Sequence, residues 1–165
     1  MASTVTSNRV TPKWGCLPFH ELTNTQLYGI LALRSEVFVV EQECVFQDVD
    51  GLDLESLHVL GFDADRLVAY ARILPEHIWR PGRLSLGRIV SSPRDRGRGL
   101  GIQLMFKALE FVSQVDASLP IELESQHRLE RFYNRFGFES VGPSYIKDGQ
   151  PHIRMILDRM TAPAP

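Results

Sequence analysis

The sequence has few cysteines and no long apolar run, and each shortage excludes a class of protein. Its two cysteines, Cys16 and Cys44, are too few for a disulfide framework and form no Cys-x-x-Cys pair. No stretch approaches the roughly 20 apolar residues of a membrane-spanning helix. We therefore predict a reduced, cytoplasmic protein without a membrane partner.

The sequence also has no excess of either charge. Its 18 Lys and Arg residues against 20 Asp and Glu residues give a net charge of −2. Nucleic-acid-binding domains normally carry a basic excess, often with interleaved aromatic residues. The balance therefore predicts that nucleic acid is not a partner.

The length and the ends of the chain predict one domain between two short tails. A chain of 165 residues with 44% hydrophobic residues is long enough to bury one core. The polar start, residues 1–12, lacks the apolar core of a secretory signal, and the last residues, 161–165, are equally rich in small residues and proline. We expect flexible tails there and a domain over residues 13–160.

Hydrophobic periodicity alternates between strand and helix along the chain. Apolar positions recur at helical spacing after Thr23 or Asn24, which can cap a helix reaching Phe38, and again from Leu100. A short helix is expected at Gln126–Phe136. Strands are expected at Lys13–Phe19, Leu57–Phe62, Arg66–Leu74, Leu84–Ser92 and Pro120–Ser125 and in the segments "FESVG" and "HIRMIL". The order predicts an α/β (α+β) fold with a mixed sheet of six to seven strands and helices on both faces.

A glycine-rich loop, "RGRGLG" at residues 96–101, joins a predicted strand to a predicted helix. Glycine lets a backbone approach a ligand closely, and the first N–H groups of a helix have no partner within it. Such a loop suits a phosphate group, and Arg94, Arg96 and Arg98 add positive charge. A flexible turn with solvated arginines is the alternative. Common nucleotide motifs do not match, because a Walker A loop needs Gly-Lys-Ser/Thr and G-x-G-x-x-G needs glycine at Ile102.

Arg96-x-x-Gly99-x-Gly101 resembles the Q/R-x-x-G-x-G/A pattern of the GNAT superfamily of N-acetyltransferases. The segment "FYNRFGF" at Phe132–Phe138 is similar to that superfamily's late Tyr-x-x-x-Gly-Phe element. The stretch Leu33–Ser56, with "AYARIL", "GRIVSS" and "DGQPHIRM", resembles the ElaA-like acetyltransferases. The resemblance departs at Gln126, where the superfamily often has asparagine.

The resemblance implies that two parallel strands, Leu84–Ser91 and Ile121–Ser125, splay apart and that acetyl-CoA lies between them as co-substrate, without a metal. The residues that it places on the coenzyme are Ile89, Val90, Ser91, Arg96, Gly97, Arg98, Gly99, Leu100 and Gly101. An amine would attack the thioester directly, the Val90 N–H would polarise the carbonyl, and Tyr133 would protonate the departing thiolate.

The base that deprotonates the amine is not fixed by the resemblance. Glu122 and Glu124 leave one face of their strand, and Glu124 is the carboxylate that we carry forward as catalytic. His58 and His152 are alternatives, although a histidine in a strand is more often a structural hydrogen-bonding group.

The last group of candidate functional residues consists of charged side chains in or near apolar segments. Arg72 and Arg88 lie in apolar strands, and we expect them to pair with buried carboxylates such as Glu36 or Glu41, or to bind an acidic substrate group. The acidic loop of Asp48, Asp50, Asp53 and Glu55 either attracts a cationic amine or is solvated. Its spacing lacks the closing glutamate of an EF-hand.

The favoured function is acetylation of a small primary amine. Alternatives are a protein or peptide acceptor, a sensor module that binds acetyl-CoA without catalysis, and, from the fainter resemblance of "RSEVFVVEQ", an acyl-homoserine lactone synthase. A homodimer is expected because twofold symmetry is the commonest assembly.

Overall fold

The computed structural model describes residues 11–159, whose central feature is a seven-stranded mixed sheet. The strands are Lys13–Pro18 (β1), Leu57–Asp63 (β2), Arg66–Leu74 (β3), Leu84–Ser91 (β4), Ile121–Gln126 (β5), Glu139–Lys147 (β6) and Gln150–Leu157 (β7). The helices are Asn24–Arg34 (α1), Leu100–Val115 (α2) and Glu130–Asn134 (α3), and a π-helix, Ser35–Glu41, follows α1. The strand order is β1-β2-β3-β4-β5-β7-β6. The predicted fold class is confirmed.

The predicted tails, residues 1–12 and 161–165, lie almost wholly outside the described residues, and the domain bounds stay a prediction. Within residues 11–159, no helix is both long and apolar enough to cross a membrane.

Helix α1 begins with the predicted cap and ends earlier than predicted. The Thr23 Oγ1 accepts a hydrogen bond from the Gln26 amide at 3.2 Å, and the Gln26 side chain accepts one from the Thr23 amide at 2.9 Å. This capping box satisfies two amides that a helix start leaves unpaired. The apolar spacing continues to Phe38, but after Arg34 the chain widens into the π-helix. Periodicity alone does not distinguish the two helix types.

The two faces of the sheet are covered differently. On one, here named the α1 face, Ile30 and Leu33 pack against Tyr70 and Val90. On the other, the α2 face, α2 and α3 build the larger core with the inward side chains of β5 and β7. The α1 face of β5, β7 and β6 carries no helix among the described residues, so the polar side chains beyond Glu122 remain at least partly accessible.

Strands β4 and β5 splay apart after two paired positions. Leu84 pairs with Ile121 and Ser85 with Glu122 in parallel register, and no later residue of β4 pairs with a described residue of β5. The predicted splay is confirmed.

A bulge in β4 accompanies the splay. Tyr70 opposes Val90 and Arg72 opposes Gly87, which leaves both Arg88 and Ile89 opposite one residue of β3. Arg88 has a φ of 50°, which is uncommon for a residue other than glycine. The bulge turns β4 away from β5 and redirects its later side chains.

Candidate active site

The main chain of β4 offers hydrogen-bonding groups to the gap between β4 and β5. The Ser92 amide donates to the Val68 carbonyl of β3 at 2.8 Å. In an antiparallel pair of strands, successive residues direct their main-chain N–H and C=O groups alternately toward the partner strand and away from it. Val90 therefore directs these groups toward Tyr70 of β3, and Ser91 directs its own into the gap. The Val90 N–H, which we expected to polarise a carbonyl, is therefore directed at β3, and the Ser91 N–H is the one directed at the gap.

The glycine loop forms the entrance to α2. Gly97 and Gly99 have φ values of 78° and 77°, in the left-handed region that side chains other than glycine rarely adopt. The first i→i−4 bond of the helix is donated by the Gln103 amide to the Gly99 carbonyl. The preceding amides, from Leu100 to Ile102, belong to the helix end, where the dipole favours an anion. These are the backbone features that an anion-binding loop uses, and phosphate binding here stays a prediction.

The arginines of this loop already have carboxylate partners. The Arg96 guanidinium donates to both carboxylate oxygens of Glu41, at 2.7 and 2.9 Å. Arg98 donates to Asp95 over 3.4 Å, and Asp95 is also bound by Arg66. Main-chain amides are therefore the groups that are available to bind an anion at this site. Arg96 would contact the anion only after its ion pair with Glu41 is broken.

Tyr133 lies in α3 on the α2 face and is 6% exposed. Its ring packs edge-on against Phe132 and Phe138. The Phe132 ring would lie 3.6 Å from a β-carbon placed on Gly101, so α3 sits beside the start of α2. Burial raises the pKa of Tyr133 well above its ordinary value. The hydroxyl therefore keeps its proton and has one to donate, but it is a weaker acid than an exposed tyrosine.

On the α1 face, six side chains of β5, β7 and β6 form a surface that we call the polar face. Its members are Glu124, Gln126, His152, Arg154, Tyr145 and Lys147. Glu124 accepts a hydrogen bond from the Tyr145 hydroxyl at 2.9 Å and pairs with Lys147. Burial alone would raise the pKa of Glu124, but these two contacts outweigh it and hold the pKa below its ordinary value. Glu124 is therefore a stable anion beside the splay.

Glu122, which shares that side of β5, has a structural role. It is fully buried, and it lies 3.0 Å from Arg83 and 3.6 Å from Arg80. Its position is where β4 and β5 are still paired, so it does not reach the gap. Only one of the two candidate carboxylates lies on the open surface.

The two candidate histidines also lie in different surroundings, one in the core and one on the polar face. His58 is fully buried, with Nε2 3.0 Å from the Asp53 carbonyl and Nδ1 2.8 Å from the Tyr70 hydroxyl. Because the carbonyl only accepts, Nε2 carries the hydrogen and Nδ1 accepts from Tyr70. Burial lowers the pKa of His58, which keeps it neutral and structural. His152 lies on the polar face opposite Gln126 and donates through Nδ1 to the Gln150 carbonyl.

The acidic loop forms a buried cluster with three arginines, which corrects the sequence expectation. This Arg–Asp cluster consists of Arg34, Arg72, Arg88, Asp48, Asp50 and Asp53. The fully buried Arg34 lies 2.7 Å from Asp48 and 2.8 Å from Asp53. The expected partners Glu36 and Glu41 are not used, because both are exposed and Glu41 binds Arg96. The loop is thereby fixed over the α1 face at the bulge of β4.

Two contacts connect this loop to the polar face. The Gln126 side-chain amide donates to the Gln42 side chain at 2.8 Å, and the Cys44 thiol donates to the Asp148 carbonyl at 3.1 Å. A depression of about 470 Å³, lined in part by Gln126 and Gln150, opens at this end of the sheet. A larger cavity of about 590 Å³ lies at the opposite end, beside the paired part of β4, and is distant from the splay. The smaller depression adjoins Gln126 at the edge of the polar face, but Glu124, Tyr145 and Arg154 do not line it.

Sequence reasoning missed Tyr145, Lys147 and Arg154. The signal was present in the alternation of "YIK" and "HIR", which puts these side chains on one face of a hairpin. What was missing was the pairing of β7 with β5, which places that face beside Glu124.

Comparisons with known proteins agree with this geometry. A family model described as an acetyltransferase (GNAT) domain matches residues 24–159. Protein ElaA of Escherichia coli is 44% identical over 153 residues, which cover 91% of this chain and 99% of that protein. Its crystal structure has a TM-score of 0.84 and covers 90% of this chain.

Two further solved structures are similar. An acyl-CoA N-acyltransferase from Pseudomonas aeruginosa is 41% identical, with a TM-score of 0.84, and covers 88% of this chain and 99% of its own. The acyl-homoserine lactone synthase BjaI has a TM-score of 0.71 but is 17% identical, covering 92% of this chain and 86% of its own. That second likeness is one of fold alone.

Proposed function

The chain belongs to the GNAT acetyltransferase family and is an acyl-CoA-dependent acyltransferase, and we propose that it acetylates a primary amine of a small molecule from acetyl-CoA. The observation that carries this proposal is the gap between β4 and β5, which opens beside the glycine loop. The gap and the loop are contiguous along the chain, from Ile89 to Gly101. One elongated ligand can contact both.

The residues present fit a coenzyme A thioester. The main-chain groups of Ser91, and those of Ile89 in the bulge, are available to an amide-rich arm, as an added strand would use them. The amides from Gly97 to Gly101 suit the diphosphate, with Arg98 close by and Arg96 released from Glu41. Val90 holds this strand in place by pairing with Tyr70.

Glu124 is proposed to receive the amine. The bound thioester supplies an activated acetyl group and a thiol leaving group. An amine arrives mostly as ammonium and must lose a proton before it can attack. Because Glu124 stays ionised, it attracts and positions the ammonium form. The proton that the ammonium loses passes to a water molecule of the open cleft, since a carboxylate with a lowered pKa does not hold it.

Tyr133 is proposed to donate a proton to the departing sulfur. Its hydroxyl keeps its proton because burial raises its pKa, and α3 lies beside the glycine loop that would bind the coenzyme. A donor in dry surroundings acts without first being desolvated.

Two contacts at the side of the cleft favour a small acceptor over a peptide. The Gln42–Gln126 and Cys44–Asp148 contacts join the loop to β5 and to the β6–β7 turn. A peptide lying across the polar face would have to break both contacts.

The variant Tyr133→Phe is expected to lower kcat about 100-fold, at the low end of the range for a general acid, since a thiolate leaves readily. The affinity for acetyl-CoA should be unchanged, because the ring and its packing are retained. Release of free thiol in the presence of an amine library measures kcat, and calorimetric titration measures the affinity.

The conservative control is Phe136→Tyr, which adds a hydroxyl to the next turn of the chain without touching the proposed donor; its kcat should match that of the wild type. Unchanged kcat in Tyr133→Phe would remove Tyr133 from the mechanism. If the wild-type protein binds acetyl-CoA but acetylates no amine, the chain is a sensor module and the proposed activity is wrong.

A further inference from the structure

Arg154 is a partly buried cation for which the described residues provide no anionic partner. It lies in the middle of β7, on the polar face, directly opposite Glu124. Four other buried or partly buried arginines, Arg34, Arg72, Arg83 and Arg88, each have a carboxylate oxygen within 3.0 Å. Within residues 11–159, no carboxylate lies within 4.0 Å of the Arg154 guanidinium.

The carboxylate directly opposite Arg154 in the sheet, that of Glu124, is held by other groups. Its carboxylate accepts from the Tyr145 hydroxyl and pairs with Lys147. Burial and Glu124 raise the pKa of Tyr145, and the positive charge of Arg154 lies close enough to oppose this shift. A second cation, Lys147, lies on the same face of the neighbouring strand β6. The polar face therefore offers two cations around one carboxylate.

An arginine with no internal partner in a cleft is suited to an anion from outside. Its planar guanidinium binds a carboxylate through two parallel hydrogen bonds. Side chains directly opposite each other on antiparallel strands have β-carbons ~5 Å apart. Groups bound by Glu124 and by Arg154 can therefore belong to one small molecule that carries an ammonium and an acid group.

We propose that the acceptor is an amino-acid-type molecule, whose ammonium group is bound by Glu124 and whose carboxylate is bound by Arg154 with support from Lys147. This inference rests on the proposed function and narrows its acceptor class. Arg154 is then a specificity-determining residue. It contacts the substrate away from the reacting nitrogen.

Acceptors that differ only in the carboxylate test this inference. Suitable sets are phenylalanine, its amide and 2-phenylethylamine, and histidine, its amide and histamine. The amine of an amino acid amide is less basic than that of the free amino acid, so more of it is neutral and able to attack. If the enzyme did not bind the carboxylate, the amide would therefore react faster than the free amino acid. We expect the free amino acid of at least one set to have a kcat/KM about 10- to 100-fold above both counterparts, as one charge-assisted pair predicts.

Substitutions of Arg154 test whether the preference for a free carboxylate depends on this residue. Arg154→Gln should raise KM for the amino acid about 10- to 100-fold with little change in kcat, and should leave KM for the decarboxylated amine unchanged. Arg154→Lys should recover part of the loss. The matched control is Arg159→Gln, which removes another partly buried arginine, one that donates to the Asp116 carbonyl beyond the far end of β7. It should behave as the wild type.

The outcomes separate this inference from the proposed function. If acetyl-CoA binds and amides or decarboxylated amines react as well as the amino acids, acetyl transfer stands and the acceptor class is wrong. Equal loss for all acceptors in Arg154→Gln would show a structural role and would also overturn the inference. If acetyl-CoA does not bind the wild-type protein, both proposals fail.

Discussion

Replacing Gly99 with valine is expected to weaken acetyl-CoA binding by about 100-fold or more while the protein remains folded. Gly99 has a φ of 77° and a ψ of 12°, and the left-handed region costs a residue with a β-carbon about 1–2 kcal/mol. A β-branched residue relieves that strain by rotating the peptide, which turns the amides after it away from the diphosphate. Two charge-assisted hydrogen bonds, at ~1.5–3 kcal/mol each, account for the loss.

The expected loss of affinity in Gly99→Val comes from a change in backbone conformation and not from a steric clash within the protein. A β-carbon at Gly99 would meet nothing within 4 Å, so the substitution does not clash with the protein itself. Gly82 provides a matched control, since its φ is 76° and its β-carbon position is equally open, but it lies in the loop of residues 75–83. Gly82→Val should carry similar strain without touching the site.

Calorimetric titration of both variants with acetyl-CoA measures the effect, and circular dichroism melts report on the fold. Loss of affinity in Gly99→Val alone supports the glycine loop as the diphosphate site. Wild-type affinity in Gly99→Val would show that the coenzyme binds elsewhere. Equal losses in both variants would indicate a general effect of backbone strain.

The glycine loop could be predicted from the sequence because its signal is local. A strand, three glycines and an apolar helix follow one another within residues 84–115, and the splay that the resemblance implied was confirmed. The sequence named Ile89, Val90 and Ser91 together, but it could not predict which of them directs its main-chain groups into the gap. That depends on the bulge at Arg88, which shifts the register by one residue, so that Val90 faces β3 and Ser91 faces the gap.

The sequence predicted that the strand arginines pair with carboxylates, but it did not identify which carboxylates. Arg72 and Arg88 were expected to pair with Glu36 or Glu41. Their actual partners lie in the acidic loop: Asp50 and Asp53 for Arg72, 22 and 19 residues away, and Asp48 and Asp50 for Arg88, 40 and 38 residues away. Pairing across such distances is fixed by the fold of the loop, which no local pattern encodes.

The second large effect is expected in Arg34→Met, which should lower the free energy of unfolding by about 3–5 kcal/mol at pH 7. Arg34 is fully buried and donates to Asp48, to Asp53 and to the Asp48 carbonyl. Removing one member of a buried ion pair leaves the others charged and uncompensated, which costs far more than the pair itself contributes. Methionine fills most of the volume, so a cavity adds little.

Urea unfolding followed by tryptophan fluorescence measures this loss. The matched control is Arg131→Met, an exposed arginine of α3, which should change stability by less than about 1 kcal/mol. A loss below about 1 kcal/mol in Arg34→Met would show that the Arg–Asp cluster does not hold the loop.

The pH dependence of the Arg34→Met loss identifies its electrostatic origin. Burial would raise the pKa of Asp53, but hydrogen bonds from Arg34 and Arg72 hold it below its ordinary value, and Asp50 is lowered to about 2. A carboxyl whose pKa is lowered in the folded state contributes stability above its unfolded pKa of about 4 and loses it as the pH falls. Without Arg34, the folded pKa of Asp53 rises and that contribution shrinks. The difference between wild type and variant should therefore be largest at pH 7 and narrow below about pH 4, whereas a packing defect would be the same at both.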